Sequence, residues 1–272
     1  MKQNVVWTIA GFDPSSGAGI TADLMTFAAH GLFGCSAITA LTVQSTLGVL
    51  ATEAVKPEWL AQTLEHLQAD LPPAGIKIGM LGNAENARVV AAFLQRIAKV
   101  GNTPVVLDPV LRSSSGRDLL PSSAVHALRQ ELLPLVDFIT PNWAELATMT
   151  DRSITNLPEA ESAARSLMLT LPRLHVVVTG GDQRHPIDLL VIPAGGTTEI
   201  LGTHISTNAT HGTGCAFSTA LLSQLVRGVK PDDACRAAKL FVEGAMRQAP
   251  GLGGGKGPLD LLWPFHERSS PQ

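Results

Sequence analysis

Two kinds of hydrophobic pattern alternate along this chain. Short runs rich in Val and Ile predict strands, and longer segments with apolar residues three or four positions apart predict amphipathic helices. The predicted strands cover residues 4–10, 36–42, 49–55, 75–79, 104–108, 138–140 and 174–179. The predicted helices cover residues 21–30, 57–69, 84–100, 122–135, 142–149, 158–169, 214–226 and 232–248. This alternation predicts an α/β fold, with a mainly parallel central sheet between two layers of helices.

Two further segments complete the pattern. Residues 187–193 and 197–204 predict an antiparallel hairpin around Ala194-Gly195-Gly196. The Gly-rich tail after Pro250 predicts a loop. The chain shows neither an internal repeat nor a linker, so we expect residues 1–272 to form a single domain.

Composition and charge narrow the class of protein. The 272 residues carry a net charge of −3 without a basic block, which argues against a nucleic-acid partner and against a polybasic membrane patch. We find neither a signal-peptide pattern nor an uninterrupted apolar stretch of about 18 residues, so we expect no membrane span. The three widely spaced cysteines predict neither a disulfide framework nor a metal site. We therefore expect a cytoplasmic protein. Charged residues make up only 16%, which favours large buried faces, including a subunit contact.

A glycine-rich loop follows the first predicted strand. Its small residues, 11–19, let a ligand approach the backbone closely, and the next helix offers free N–H groups. Gly17, Gly19 and Ala22 also fit a dinucleotide-binding fingerprint, but the loop is too long and lacks the expected acidic residue about 20 positions on. A flexible loop without a ligand is the remaining alternative.

A second glycine-rich loop, residues 208–215, precedes another predicted helix. Gly212 and Gly214 flank Thr213, which predicts a cradle of backbone N–H groups for an anion. Cys215 falls in the first helical turn, where the helix dipole is expected to lower the pKa of its thiol. The competing interpretation of Cys215 is a small buried residue at a helix start.

Four polar side chains lie at or after the ends of other predicted strands. Asn142 and Glu145 have the spacing of a helix capping box, which competes with any functional interpretation. Asp108 ends a neighbouring strand, and two carboxylates converging there can organise Mg²⁺ through water. Gln44 carries an amide suited to the edge of a heterocycle, although a solvated turn residue explains it about equally well.

Seven motifs together resemble one family. AGFDPSSGAGITADLMTF, GCSAITALTVQST, IKIGMLG, VVLDPV, ITPNWAEL, HGTGC and GGGKGPLD occur in the order typical of bacterial hydroxymethylpyrimidine/phosphomethylpyrimidine kinases of thiamine synthesis, from residue 5 to about 260. The resemblance implies a ribokinase-like fold, a homodimer, and a reaction that uses ATP and Mg²⁺. It implies phosphorylation of 4-amino-5-hydroxymethyl-2-methylpyrimidine and then of its monophosphate.

The resemblance also implies roles for individual residues. It assigns Gln44 to the aminopyrimidine edge, and it assigns the rest of the pyrimidine pocket to Ala18, Thr42, Met80 and Val110, with Asp23 nearby. It assigns the anion hole to Gly212, Thr213 and Gly214, and the catalytic base to Cys215. It assigns Mg²⁺ to Asp108 and Glu145, and the nucleotide to Asn142, Thr179 and Lys239.

The chain departs from the family pattern at two places. It has Thr179-Gly180-Gly181-Asp182 where the family usually has Lys-Gly-Gly-His. It has Ser113-Ser114-Ser115-Gly116 where the family usually has Ala-Lys-Ser-Gly. Two lysines are thus replaced on the expected phosphate side, and Arg112 and Arg117 are candidates to compensate. Whether the tail 251–257 closes over the nucleotide stays open.

Three other functions compete with this interpretation. A pyridoxine/pyridoxal kinase of the same superfamily acts on a similar heterocyclic alcohol. A cysteine hydrolase would use Cys215, activated by His211 or His204, but it leaves Asp108 and Glu145 unexplained. A pyrimidine-binding protein without catalysis would have no use for the anion hole.

Overall fold

The computed structural model describes residues 4–97, 103–113, 116–180, 186–193 and 195–269. Its strands are β1 (Val5–Phe12), β2 (Phe33–Ser45), β3 (Gly48–Ala54), β4 (Ile76–Ile78), β5 (Val105–Leu107), β6 (Phe138–Ile139), β7 (His175–Val178), β8 (Ile187–Val191) and β9 (Thr197–Leu201). Its α-helices are α1 (Gly19–Ala29), α2 (Pro57–Asp70), α3 (Ala84–Ile97), α4 (Ser122–Ala127), α5 (Trp143–Thr150), α6 (Leu157–Met168), α7 (Thr213–Leu225), α8 (Pro231–Arg247) and α9 (Trp263–Ser269).

These nine strands form one sheet in the order β3-β2-β1-β4-β5-β6-β7-β8-β9. The six strands from β2 to β7 in this order run parallel, whereas β3, β8 and β9 join antiparallel. The predicted α/β class, the mainly parallel sheet and the antiparallel hairpin are confirmed.

Helices cover both faces of the sheet. Successive residues of β1 point to opposite faces, and they are buried on both: Val6 packs with α1, α7 and α8, while Trp7 packs with α2 and α3. A parallel strand covered on both faces must be apolar throughout, which explains the unbroken apolar run that predicted this strand. The predicted three-layer arrangement is therefore confirmed.

Strands β2 and β3 extend beyond the helical layers as an antiparallel flap. Because strand side chains alternate, Thr42 and Gln44 face a cavity, whereas Leu41 and Val43 are exposed on the outer face. The flap thus presents a polar inner surface and an apolar outer one.

The described structure differs from the predicted elements in two segments. The predicted helix 122–135 is α-helical only to Ala127 and continues as a π-turn (Leu128–Leu132) and a 3₁₀ turn (Leu133–Leu135). Pro134 lies in that last turn and has no N–H to continue the α-helical bonds. Helix α9 was not predicted, and Trp263 anchors it by donating a hydrogen bond to the carbonyl of Phe241 at 3.1 Å. The end of the predicted helix 84–100 lies outside the described residues.

Membrane insertion finds no support in the described helices, because none combines the length and the apolar character that a transmembrane span requires.

Candidate active site

A cavity of about 600 Å³ opens at the carboxyl ends of the parallel strands. Loops after six strands meet there, which is where α/β sheets bind ligands. Thirteen of the fifteen residues selected from the sequence line this cavity: Ala18, Thr42, Gln44, Met80, Asp108, Val110, Asn142, Glu145, Thr179, Gly212, Thr213, Gly214 and Cys215. The other two, Asp23 and Lys239, lie elsewhere.

The two glycine-rich loops interlock at one side of the cavity. Gly212 has a φ of 83°, and a Cβ there would lie 1.8 Å from the carbonyl oxygen of Gly17. A Cβ on Gly17 would in turn lie 2.2 Å from the ring of His211. Only glycine fits either position. Helix α7 therefore starts at the cavity with free N–H groups, which is the arrangement that the predicted anion cradle requires.

Asp108 and Glu145 meet opposite this cradle. Burial raises the pKa of Glu145 to about 8, and the nearby charge of Asp108 adds to this shift. Burial also raises the pKa of Asp108, although the Lys77 ammonium partly opposes it. The capping box is real as well, because Glu145 accepts from the Asn142 N–H and Asn142 accepts from the Glu145 N–H, both at 2.9 Å.

These two carboxyl groups fit a magnesium ion held largely by water and phosphate. Among the described residues no three His, Cys, Asp or Glu side chains cluster as metal ligands. Mg²⁺ commonly binds through one or two carboxylates together with substrate phosphates. A divalent cation between Asp108 and Glu145 would offset the charge of Asp108, which contributes to the raised pKa of Glu145.

The predicted thiolate character of Cys215 is wrong. Burial raises the pKa of its thiol to about 12, and although Lys77 opposes this shift, the carboxylates of Asp108 and Asp23 add to it. Desolvation therefore outweighs the helix dipole. The Sγ atom accepts from the Gly19 N–H, and the thiol donates to Asp108. Cys215 is thus a neutral thiol at neutral pH, placed between the glycine loop and a carboxylate.

Asp23 lies behind the cavity wall, so its predicted position near the pyrimidine pocket is corrected. Its carboxylate accepts from Lys77 Nζ at 2.9 and 3.0 Å, from Thr8 at 2.5 Å and from Thr219 at 2.7 Å. Asp23 and Lys77 are both fully buried. Sequence reasoning missed Lys77, although a lysine in the middle of the apolar strand IKI indicates a buried ion pair.

A second cavity of about 240 Å³ adjoins the first and shares Thr179, Thr210, Thr213 and Gly214 with it. Its apolar wall comes from Phe217, Val242 and Met246. Lys239 also lines it, but its Nζ lies 2.7 Å from Asp188 Oδ2 in a buried pair. The hairpin strand β8 supplies this aspartate.

The tail and Arg117 have partners in the flap, whereas Arg112 pairs with Asp118. A Cβ on Gly253 or Gly255 would lie 2.2 or 2.0 Å from Thr46, so the tail packs against the β2–β3 turn. Arg117 donates to the backbone carbonyls of β3, and Arg112 donates to Asp118 at 2.6 Å. Ser114, at one of the two family departures, lies outside the described residues.

Free N–H groups at a helix start, facing two carboxyl groups at the ends of parallel strands, suit phosphoryl transfer, and the fold is that of the ribokinase-like kinases. The model of the phosphomethylpyrimidine kinase family matches residues 13–260, and the chain belongs to this family.

Individual relatives and solved structures are similar to this chain over most of its length. The hydroxymethylpyrimidine/phosphomethylpyrimidine kinase of Bacillus subtilis is 39% identical over 256 residues, covering 93% of each protein. The solved structure of phosphomethylpyrimidine kinase from Clostridium difficile is 33% identical, with a TM-score of 0.76 over 89% of this chain and 98% of that one. An ADP complex of Bacillus subtilis pyridoxal kinase is 27% identical, with a TM-score of 0.84 over 95% of this chain and 97% of that one.

Proposed function

We propose that this kinase phosphorylates 4-amino-5-hydroxymethyl-2-methylpyrimidine and then its monophosphate, with ATP as phosphoryl donor, in thiamine biosynthesis. One observation carries the proposal. The amide of Gln44, the anion cradle of Gly212 and Gly214, and the carboxyl groups of Asp108 and Glu145 face the same cavity. A heterocycle bound at Gln44 would thus share its cavity with groups suited to a transferring phosphoryl group.

We place the nucleotide in the second cavity. Its apolar wall suits a base, and it joins the first cavity at Thr213 and Gly214, where the free N–H groups lie. The ADP in the similar pyridoxal kinase supports ATP as the donor. Asn142 and Thr179 line the route between the carboxyl groups and the nucleotide. Lys239 acts there through its pair with Asp188.

Asp108 and Glu145 are the residues that would hold Mg²⁺, which supplies neutralising charge to the phosphates when it is bound. Because burial raises the pKa of Glu145 to about 8, this carboxyl group is poised to give up a proton to a cation.

Cys215 acts as a proton relay rather than as a thiolate base. The substrate hydroxyl oxygen forms a bond to the γ-phosphorus while the bond to the bridging oxygen of ADP breaks. The hydroxyl proton passes to Sγ as the thiol proton passes to Asp108, to which it is already hydrogen-bonded. In the second phosphorylation the acceptor is an anionic phosphate oxygen, so this relay matters less.

We also propose that the chain is a single kinase domain that works as a cytoplasmic homodimer. The flap exposes Leu41 and Val43 on the outer face of β2, and Leu50 is exposed on the neighbouring strand β3. An exposed apolar face of this kind is typical of a subunit contact. Light scattering coupled to gel filtration tests it, and a concentration-independent monomer would contradict the dimer.

A pyridoxal kinase is the second candidate, favoured by the higher TM-score of that structural neighbour. Turnover of ATP to ADP separates the candidates when it is measured with hydroxymethylpyrimidine, its monophosphate, pyridoxal, or no acceptor. We expect the highest kcat/KM with the pyrimidine alcohol. A preference for pyridoxal would establish the second candidate. A covalent adduct on Cys215 without ATP, seen by intact-protein mass spectrometry, would indicate the hydrolase.

A further inference from the structure

Three polar side chains outside the phosphoryl-transfer machinery form a continuous array beside the cavity. The distance between Asp13 Oδ2 and His211 Nε2 is 2.7 Å. The distance between the side-chain amide nitrogen of Gln44 and His211 Nε2 is 3.0 Å. Asp13 and His211 are buried, at 3% and 6% exposure, whereas Gln44 is half-buried. The array joins the first glycine loop, the second glycine loop and the flap.

The partners of Asp13 decide which atom of this array donates. Its carboxylate accepts from the Ser15 N–H at 2.9 Å, the Ser15 hydroxyl at 2.7 Å and the Ala18 N–H at 2.9 Å. Burial alone would raise the pKa of Asp13, but hydrogen bonds from His211 and Ser15 hold it below its usual value. Asp13 is therefore an ionised acceptor on every side, and His211 Nε2 must carry a proton and donate it.

A nitrogen that carries a proton cannot accept a hydrogen bond from an amide NH₂. The two orientations of a Gln amide place oxygen and nitrogen in nearly the same positions, so hydrogen bonding must choose between them. The single Nε2–H of His211 faces both Asp13 and Gln44, so an acceptor is favourable on either side, and the favourable choice for the amide is the Gln44 oxygen. The NH₂ group of Gln44 then lies on the side away from His211.

The ring of His211 has little freedom to change this arrangement. A Cβ on Gly17 would lie 2.2 Å from its Cδ2 and 3.0 Å from its Nε2, so the ring packs directly on the loop backbone. The backbone N–H of His211 donates a hydrogen bond to the backbone carbonyl of Gly257 at 3.2 Å, which fixes the main chain at this residue. The donor is thus held in place on both its main chain and its ring.

We propose that His211, held by Asp13, is a positioning residue that sets the amide orientation of Gln44 and thereby the substrate edge that the site accepts. The accepted edge has its hydrogen-bond donor, an exocyclic amino group, on the His211 side and an acceptor ring nitrogen beside it. The 4-oxo analogue, with a ring N–H and a carbonyl, presents the reverse order. This inference rests on the proposed pyrimidine substrate.

The test compares the amino substrate with the 4-oxo analogue in wild type and in two variants. His211→Leu removes the donor, so the amide of Gln44 can rotate. We expect kcat/KM for the amino substrate to fall about tenfold, mainly through KM, and the preference over the 4-oxo analogue to shrink by about the same factor or more. His211→Gln can keep a donor to Asp13 and to Gln44, so it should retain most of the preference.

Two controls separate selectivity from damage to the fold. His66→Leu, an exposed position on α2, should leave both rates and the preference unchanged. Gln44→Leu lacks the amide altogether, so it should abolish the preference for the amino substrate over the 4-oxo analogue. It therefore shows the smallest preference that the assay can give. If His211→Leu folds with wild-type secondary structure and keeps the full preference, the inference is wrong. If His211→Leu does not fold, loss of the preference in His211→Gln would overturn the inference instead. A wild type that phosphorylates neither pyrimidine would reject the proposed function itself.

Discussion

Asp23 and Asp108 are both buried carboxylates near Lys77, yet their surroundings are opposite. Asp23 is satisfied on all sides by Lys77, Thr8 and Thr219, and it lies behind the cavity wall. Asp108 faces the cavity, receives bonds only from the Cys215 thiol and from Ser218 at 3.4 Å among its described side-chain partners, and repels Glu145.

The difference separates a structural charge from a functional one. A buried charge with a full set of partners has its desolvation offset by those partners, and removing one of them is strongly destabilising. Two buried carboxyl groups that raise the cost of ionisation at one site are more typical of a functional site, where a ligand can supply positive charge. We therefore interpret the Asp23–Lys77 pair as the support of the site and the Asp108–Glu145 pair as the place that receives the cation.

The largest effect is expected from breaking the structural pair. Lys77→Met leaves Asp23 charged and buried without its counter-ion, which should lower the free energy of unfolding by about 3–5 kcal/mol. Urea unfolding followed by circular dichroism measures this loss. The double variant Lys77→Met/Asp23→Asn, which has no buried charge, should recover much of the loss. A single variant as stable as wild type would contradict the structural role.

The next effect concerns the thiol that lies between the two pairs. Cys215→Ala should slow the first phosphorylation roughly 10²-fold, because the relay from the substrate hydroxyl to Asp108 is lost. The second phosphorylation should slow less, since its acceptor oxygen is already anionic. Rapid-quench measurement of both steps tests this. A first step at wild-type speed would remove Cys215 from the relay and leave the anion cradle as the main catalytic device.

A smaller effect follows from the raised pKa of Glu145. The folded chain keeps this proton up to about pH 8, whereas the unfolded chain loses it near the ordinary value of 4.5. The unfolded state thus binds fewer protons between these values, so stability should fall as pH rises, by at most about 1.4 kcal/mol per pH unit for one group. Glu145→Gln should flatten this slope in urea titrations without Mg²⁺. An unchanged slope would place the pH dependence on other groups.

Much of the scaffold is predictable because parallel strands and amphipathic helices have local patterns. The glycine-framed start of α7 is also predictable, because glycines before a helix have a local geometric meaning. The ionisation of Cys215 is not, because it depends on burial and on charges from Lys77 and Asp108, which meet the thiol only in the folded chain. The same holds for Asp23, whose position in the first helix does not reveal that it is buried behind the cavity wall and paired with Lys77.

The most direct test of the cation site is the proton released when nucleotide and metal bind. At pH 7, Glu145 with a pKa of about 8 is mostly protonated, so ligation of Mg²⁺ must expel its proton. Calorimetric titration of Mg²⁺ with a non-hydrolysable ATP analogue, in buffers of different ionisation enthalpy, counts these protons. We expect release of about one proton from wild type and markedly less from Glu145→Gln. Equal release from both proteins, or none from wild type, would contradict a cation site at Asp108 and Glu145.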